Sequence, residues 1–474
     1  MQRYRSFVGG SPRETSHIEL IENPYDGSPV AEVCQAGAAE MEASIAAAER
    51  AFADTRKLPV HERARLLDAI ADELARRSEP LSELITRESG KPIRYARGEL
   101  ARAVTTFKLG AATARTLGGE QLPIDLSAAS ENRLCVTTTV PRGPVGAIAP
   151  FNFPLNLVAH KLSPAFAVGA PVVLKPAHQS PATAHALAEI VHELGVPAGA
   201  LNVLHTAPEV GELLATDERI KVLSFTGSDV VGWKLKQLAW KKQVLLELGG
   251  NAPCIIDETV SLDTVIPKLA EMCWANAGQV CIKPQRLLVS ARIFDEFVER
   301  FVAATLKVKV GDPLDAETVV GPIIEPRHVT RVLAWIGEAR EAGARIHCGG
   351  DADRQLVQPT VITGAKPELR VWRDEVFGPV TVLAPFGDLD EALALANQSR
   401  FGLQASLFTS NIERALHAFR TLEYGGVLIN DPPSFRVDNF PYGGTKESGF
   451  GREGVRYAAL EYCEHKTLVL GPMT

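Results

Sequence analysis

From Val145 onward, short apolar runs alternate with helical patterns, and no other feature of the chain restricts its fold so strongly. The runs are Val145–Ala149, Pro171–Leu174, Leu201–Leu204, Val222–Phe225 and Val244–Leu248, with helices expected from about Leu157, after Ser180-Pro181 and from Ser228. Such alternation predicts a mostly parallel sheet covered by helices. Ser180-Pro181 reads as an N-cap followed by proline at the first helical position. A second series runs from Ala252–Ile256 through Leu287, Val380 and Leu403 to Val427–Ile429, with amphipathic helices near 292–306 and 326–342. The expectation is two α/β units meeting near Leu248-Gly-Gly-Asn251.

Residues 36–118 carry helical periodicity, as in Ala38–Ala53 and His61–Arg77. The β-branched stretch Arg133–Pro141 predicts a strand, and with Gly118-Gly-Glu-Gln-Leu-Pro123 before it, a hairpin arm over 119–142. Leu460–Leu470 reads as a further strand.

The bulk of the chain narrows the partners. With 474 residues, 46% hydrophobic and a formal charge of -7, it affords a large core and no basic footprint for nucleic acid or an anionic membrane. The first ten residues lack the apolar segment of a secretory signal, and no run approaches the roughly 18 apolar residues of a membrane span, so the cytoplasm is expected. Seven scattered cysteines, none spaced Cys-x-x-Cys, read as reduced thiols, and no metal-ligand spacing is present. The expected partners are a small molecule and further copies of the chain.

Several residues interrupt the pattern where chemistry is placed. Cys281, in Trp274-Ala-Asn-Ala-Gly-Gln-Val-Cys-Ile-Lys-Pro-Gln-Arg286, sits on a turn before an apolar run: a nucleophile or a packing residue. Glu247 places a carboxylate inside an apolar strand, either as a tuned base or as half of a buried ion pair. Asn152, between Phe151 and Phe153 after a strand end, is an oxyanion donor or a turn former. Gly227-Ser228 joins a strand to a helix whose free amides attract a pyrophosphate, unless it is an ordinary turn. Lys175 ends a strand where α/β sheets bind ligands, and is otherwise a solvated lysine. Gly449-Phe-Gly-Arg-Glu-Gly454 matches the dinucleotide string in letters only, because no strand precedes it and no βαβ unit can follow.

Taken in order, Pro150-Phe-Asn-Phe-Pro154, Lys175-Pro-Ala177, Phe225-Thr-Gly-Ser228, Leu246-Glu-Leu-Gly-Gly250, Gly278-Gln-Val-Cys281, Glu375-Val-Phe-Gly-Pro379 and Pro441-Tyr-Gly-Gly-Thr-Lys446 resemble the NAD(P)-dependent aldehyde dehydrogenase superfamily. The resemblance covers nearly the whole chain and implies an α/β fold with a Rossmann-type cofactor domain (1–118 and 143–248), an α/β catalytic domain (249–446) and an oligomerisation arm (119–142 and 447–474). It implies that Cys281, as a thiolate, attacks an aldehyde, that Asn152 and the Cys281 N–H hold the oxyanion, and that Glu247 activates the hydrolytic water. Phe151, Lys175, His178, Gly227, Ser228, Glu375 and Phe377 are then expected around the cofactor, and the assembly is a homodimer or homotetramer.

His178 departs from the glutamate common in NAD-preferring relatives, so NADP is expected to be accepted beside NAD, or preferred to it. Arg102, His160 and Arg436 take positions that are apolar or aromatic in enzymes for simple aldehydes, pointing to a polar or anionic substrate. The branch most resembled is that of lactaldehyde dehydrogenases, beside non-phosphorylating glyceraldehyde-3-phosphate dehydrogenases. Val280 replaces the arginine that phosphate-handling relatives often carry there, which favours lactaldehyde-like aldehydes or semialdehydes. A hydrolytic or coenzyme A-acylating thiol enzyme is the alternative, and a non-catalytic binding protein a third reading.

Overall fold

Val145–Ile148, Val172–Lys175, Leu201–Val203, Val222–Thr226 and Gln243–Glu247 are buried nearly throughout, and in the computed structural model, which describes residues 1–472, they form the parallel centre of an eight-stranded sheet. Such strands need cover on both faces. Helices supply it, with Met41, Ile45 and Leu235 among the side chains packed on one cluster and Leu162, Phe166 and Leu187 on another. From Val145–Ile148 the order grows one way through Val172–Lys175 and the other way through Val222–Thr226. The crevice at such a reversal, beyond the carboxyl ends of the strands, is where open α/β sheets bind ligands.

The second sheet has seven strands, parallel except for the edge strand Arg345–Cys348, with Pro284–Ser290 and Ala252–Ile256 near its middle. Its core is separate, built on Trp274, Phe297, Phe301 and their neighbours. A three-stranded arm pairs Leu134–Pro141 with Cys463–Leu470 along their full length and with Gln121–Leu122.

Three local expectations are corrected. Ser180 does not cap a helix: its hydroxyl lies 3.3 Å from the Phe151 carbonyl, and Pro181 is the cap residue of Ala182–Glu193. The free amides of Ala182 and Thr183 donate instead to buried Glu88, at 2.8 and 3.0 Å, so a carboxylate from a distant helix does the capping. Leu460 and Glu461 end the helix Val455–Glu461, and the strand begins at Cys463. Of the segment 447–474, only Cys463–Leu470 joins the arm sheet; Gly449–Phe450 pairs with Gln243–Glu247 in the first sheet, and residues 473–474 lie outside the described residues.

The first 36 residues also hold five short strands that periodicity does not reveal. They are short or half-exposed and polar, and form by pairing with distant partners, as His205–Thr206 does with Pro29–Ala36. Among the described residues no helix is long and apolar enough to cross a membrane.

Candidate active site

Three crossings of the chain bring the candidate nucleophile to its neighbours. The segment before Cys281 turns through three successive left-handed residues, Asn276 (φ 53°), Ala277 (φ 54°) and Gly278 (φ 66°). An alanine there is strained, and such strain persists only where surrounding contacts enforce it. Gln279 supplies them: its Oε1 accepts from Ile324 N at 2.9 Å, and its Nε2 lies 3.3 Å from the carbonyls of Asn276 and Pro322. The Gln279 carbonyl accepts from Asn152 Nδ2 at 2.8 Å, which joins the Pro150–Pro154 loop of the first sheet to the Cys281 turn of the second. Gly250 packs its α-carbon against the Cys281 carbonyl, closing the turn from a third side.

Burial pushes the Cys281 thiol up to about 11, and a hydrogen bond from Tyr442 and the charge of Arg436 only partly oppose it. The attacking thiolate expected from the sequence therefore forms by removal of a proton that burial helps the thiol to keep. Glu247 is buried at the end of its strand, forms no salt bridge among the described residues, and its Oε2 has no hydrogen-bond partner. Burial, then repulsion from Glu453, raises its pKa well above the ordinary carboxylate value. The ion-paired alternative is not what the fold provides.

Around Glu247 and Cys281 lies a layer of charge that only the fold assembles. Arg102 donates twice to Asp438, at 2.6 and 3.2 Å, and His160 Nε2 lies 2.8 Å from the same carboxylate. Arg436 Nη2 lies 3.2 Å from Glu453 and 3.4 Å from His160, and its guanidinium sits 3.6 Å from the centre of the Tyr442 ring. Lys161 Nζ contacts Ser224, Thr226 and Glu453 at 3.1, 2.8 and 3.3 Å. Burial lowers the pKa of His160 and leaves it neutral near pH 7, while His160 and Arg102 overcome the effect of burial on Asp438 and hold it ionised.

At the first sheet's crevice, Ser228 Oγ caps the helix Asp229–Leu238 by accepting from Val231 N at 3.4 Å, leaving the other first-turn amides free. Lys175 is buried without a carboxylate partner: its Nζ lies 3.4 Å from the Pro176 carbonyl, and burial lowers its pKa to about 8. With one long hydrogen bond, this buried ammonium has donor capacity left over, which ribose hydroxyls of a dinucleotide would suit. Glu375, raised to about 7 by burial, accepts from Gly250 N at 2.8 Å, while Phe377 (φ 45°) meets Phe151 edge-on at 5.9 Å. The fold thus brings a buried ammonium, a helix start, a buried carboxylate and two edge-on aromatic rings to the carboxyl ends of the first sheet's strands and the facing turn.

Residues 11–468 match the aldehyde dehydrogenase family. The chain belongs to that family. The 3-sulfolactaldehyde dehydrogenase of Priestia aryabhattai is 40% identical to it over 471 residues, covering 99% of this chain and 98% of the relative. Aldehyde dehydrogenase 21 from Physcomitrella patens, solved with the reaction product succinate, superposes with a TM-score of 0.98 at 40% identity, covering 99% of this chain and 98% of that one. Glyceraldehyde-3-phosphate dehydrogenase GapN from Methanocaldococcus jannaschii, solved with NADP, does so with a TM-score of 0.93 at 35% identity, covering 97% of this chain and 100% of that one. This aldehyde dehydrogenase is therefore an NAD(P)-dependent oxidoreductase, and none of these likenesses supports the coenzyme A-acylating or hydrolytic alternative.

Within the aldehyde dehydrogenase, His178 calls for a correction. A carboxylate is present beside it after all: Glu19, from the strand His17–Glu22, binds His178 Nε2 at 3.0 Å and His205 Nε2 at 2.7 Å, and the two imidazoles stack at 5.2 Å. Spacing along the chain shows no metal ligands, yet these three side chains converge within ligand reach. Glu19 joins the two imidazoles through their Nε2 atoms, while His205 Nδ1 is buried with no hydrogen-bond partner among the described residues. The residues that sequence reasoning did not single out are Lys161, Asp438, Tyr442, Glu453, Gln279 and Glu19. Lys161 and Glu453 carried a readable signal, since each is a charge beside apolar or glycine-rich neighbours; Glu19 carried none.

Proposed function

We propose that the enzyme oxidises a small polar or anionic aldehyde, of the lactaldehyde or semialdehyde type, to its carboxylate. The observation that carries the substrate class is the position of Arg436, which touches the ring of Tyr442, itself against the Cys281 sulfur. Arg102, Arg436 and Lys161 face Asp438 and Glu453, three cations against two carboxylates, leaving one positive charge in excess while Glu247 is protonated. That excess draws an anionic tail toward the nucleophile. Relatives named for sulfolactaldehyde, and one solved with succinate, accord with it.

In this reading Cys281 loses its proton and attacks the aldehyde carbon, while Asn152 Nδ2 and the Cys281 N–H hold the oxyanion. A nicotinamide held in the crevice would supply the hydride acceptor, and oxidation of the adduct would leave a thioester on Cys281. Glu247, made a stronger base by burial, then takes a proton from the attacking water. Lys175, Gly227, Ser228 and Glu375 hold the cofactor, with Phe151 and Phe377 walling the ring. Both cofactors are accepted, NADP without a glutamate at position 178 to repel its phosphate but with Glu19 nearby.

One face of the arm presents exposed Leu134, Leu468 and Leu470, a face suited to a second copy in a homodimer or homotetramer. Seven free cysteines accord with the reducing cytoplasm.

The test is a panel of charged and neutral aldehydes of equal size, followed by nicotinamide reduction with both cofactors. Cys281→Ala should abolish turnover and keep cofactor binding, whereas Cys273→Ala should be mild. Arg436→Ala should raise KM far more for the anionic member of each pair. Equal effects on both members would remove the anion role.

A further inference from the structure

Tyr442 is the side chain nearest the nucleophile to which no role has been given. Its ring is buried with Ile282 and Leu403, against Val280, Cys281 and Phe440. Its backbone is pinned to Glu453 by two hydrogen bonds, at 3.0 and 2.6 Å. Its hydroxyl lies 3.5 Å from Cys281 Sγ, and among the described residues that sulfur is the hydroxyl's one hydrogen-bond partner. A buried phenol ordinarily directs its O–H to an oxygen. Here the fold aims it at a thiol.

The opposite face of the problem is Arg436, whose guanidinium lies 3.6 Å from the ring centroid. A cation on an aromatic face draws charge from the ring, which makes the phenol O–H a stronger donor. Once the thiol has lost its proton the sulfur can only accept, and the phenol O–H, a stronger donor than S–H, is the partner aimed at it, so oxygen donates and sulfur accepts.

We infer that Tyr442 is a catalytic residue of this enzyme, donating a hydrogen bond through its hydroxyl to the Cys281 thiolate and turning Arg436 into an activator of that bond. The inference rests on Cys281 being the nucleophile. On attack the thiol proton leaves to water, the sulfur lone pair forms the bond to the aldehyde carbon, and the carbonyl π pair moves to the oxyanion. The tyrosine O–H bond neither forms nor breaks; its hydrogen bond is strongest before attack and weakens as sulfur loses its charge. Arg436 therefore serves two ends, charge for the substrate and polarisation of the phenol.

Tyr442→Phe removes the oxygen and keeps the ring. The readout is the pH dependence of iodoacetamide alkylation of the cofactor-free enzyme, with the modified residue identified by mass spectrometry. The apparent thiol pKa should rise, and the alkylation rate below that pKa should fall about tenfold, the size expected when a hydrogen bond to a charged group is lost. Cofactor affinity and melting temperature should hold, and kcat/KM should fall by the same factor for charged and neutral aldehydes. An unchanged alkylation profile would overturn the inference, as would a loss confined to one class of aldehyde, which marks a pocket wall. Should Tyr442→Phe prove unstable, uniform 3-fluorotyrosine labelling gives the second measurement: a more acidic phenol must lower the thiol pKa, and no shift counts against the donor role. If alkylation of Cys281 leaves turnover intact, the underlying assignment of the nucleophile fails instead.

Discussion

Gly250→Ala is the sharpest mechanical test of how the two sheets hold the nucleophile. Gly250 lies outside the left-handed region, so alanine's own backbone is unstrained there, and its N–H can still donate to Glu375. The new methyl, however, would meet the Cys281 carbonyl, with the carbonyl carbon 3.3 Å from the added atom. To restore an ordinary carbon–oxygen separation, the Cys281 carbonyl must retreat by about 1 Å. Leu403 Cβ, at 3.5 Å, stands close on another side of the same atom and limits any compensating shift of residue 250. A misplacement of about 1 Å at a reacting group costs roughly a hundredfold in rate. The assay is steady-state turnover with both substrates saturating, with cofactor binding followed by fluorescence and folding by melting temperature. The expected result is a kcat lowered by about two orders of magnitude in a folded protein that still binds its cofactor. Turnover at the parent rate would refute the argument that Cys281 is held in place by backbone contact.

Two further substitutions test the charges. Glu247→Gln should lower kcat by about 10²- to 10⁴-fold, the range for removing a general base, while the first turnover survives as a burst of reduced nicotinamide. In the parent, Glu247 and Cys281 both have raised pKa values, so activity should climb with pH above neutrality, and the variant should lose the part of the kcat profile due to Glu247. The sign for stability is opposite. A carboxylate whose pKa is raised by folding stabilises below its unfolded pKa and loses that contribution as pH rises, so Glu247→Gln should melt no lower than the parent at pH 9. Glu19→Gln removes the carboxylate beside His178 and should raise kcat/KM for NADP relative to NAD by about tenfold; an unchanged ratio would show that Glu19 does not face the 2′-position.

What the sequence determined by itself was local and ordered along the chain. The central strands of both sheets were legible because they are buried, and burial demands apolar runs whatever their neighbours; Val222–Thr226 and Ala252–Ile256 need no distant partner to be recognised. Family order among short motifs likewise pointed to Cys281, Asn152 and Glu247. Tertiary structure alone decided which charges meet. Arg102, a residue of an ordinary helix face, is turned by the fold onto Asp438, 336 positions away, and Glu88 caps a helix 94 positions on. Glu19 restores at His178 the charge whose absence the local motif implied. Such contacts leave no trace in periodicity, because a hydrogen bond is satisfied by proximity in space and imposes no pattern on the residues that flank it. The proton of the Cys281 thiol depends on tertiary structure in the same way: burial by distant side chains pushes the thiol pKa up, and Tyr442, 161 positions on, partly opposes it.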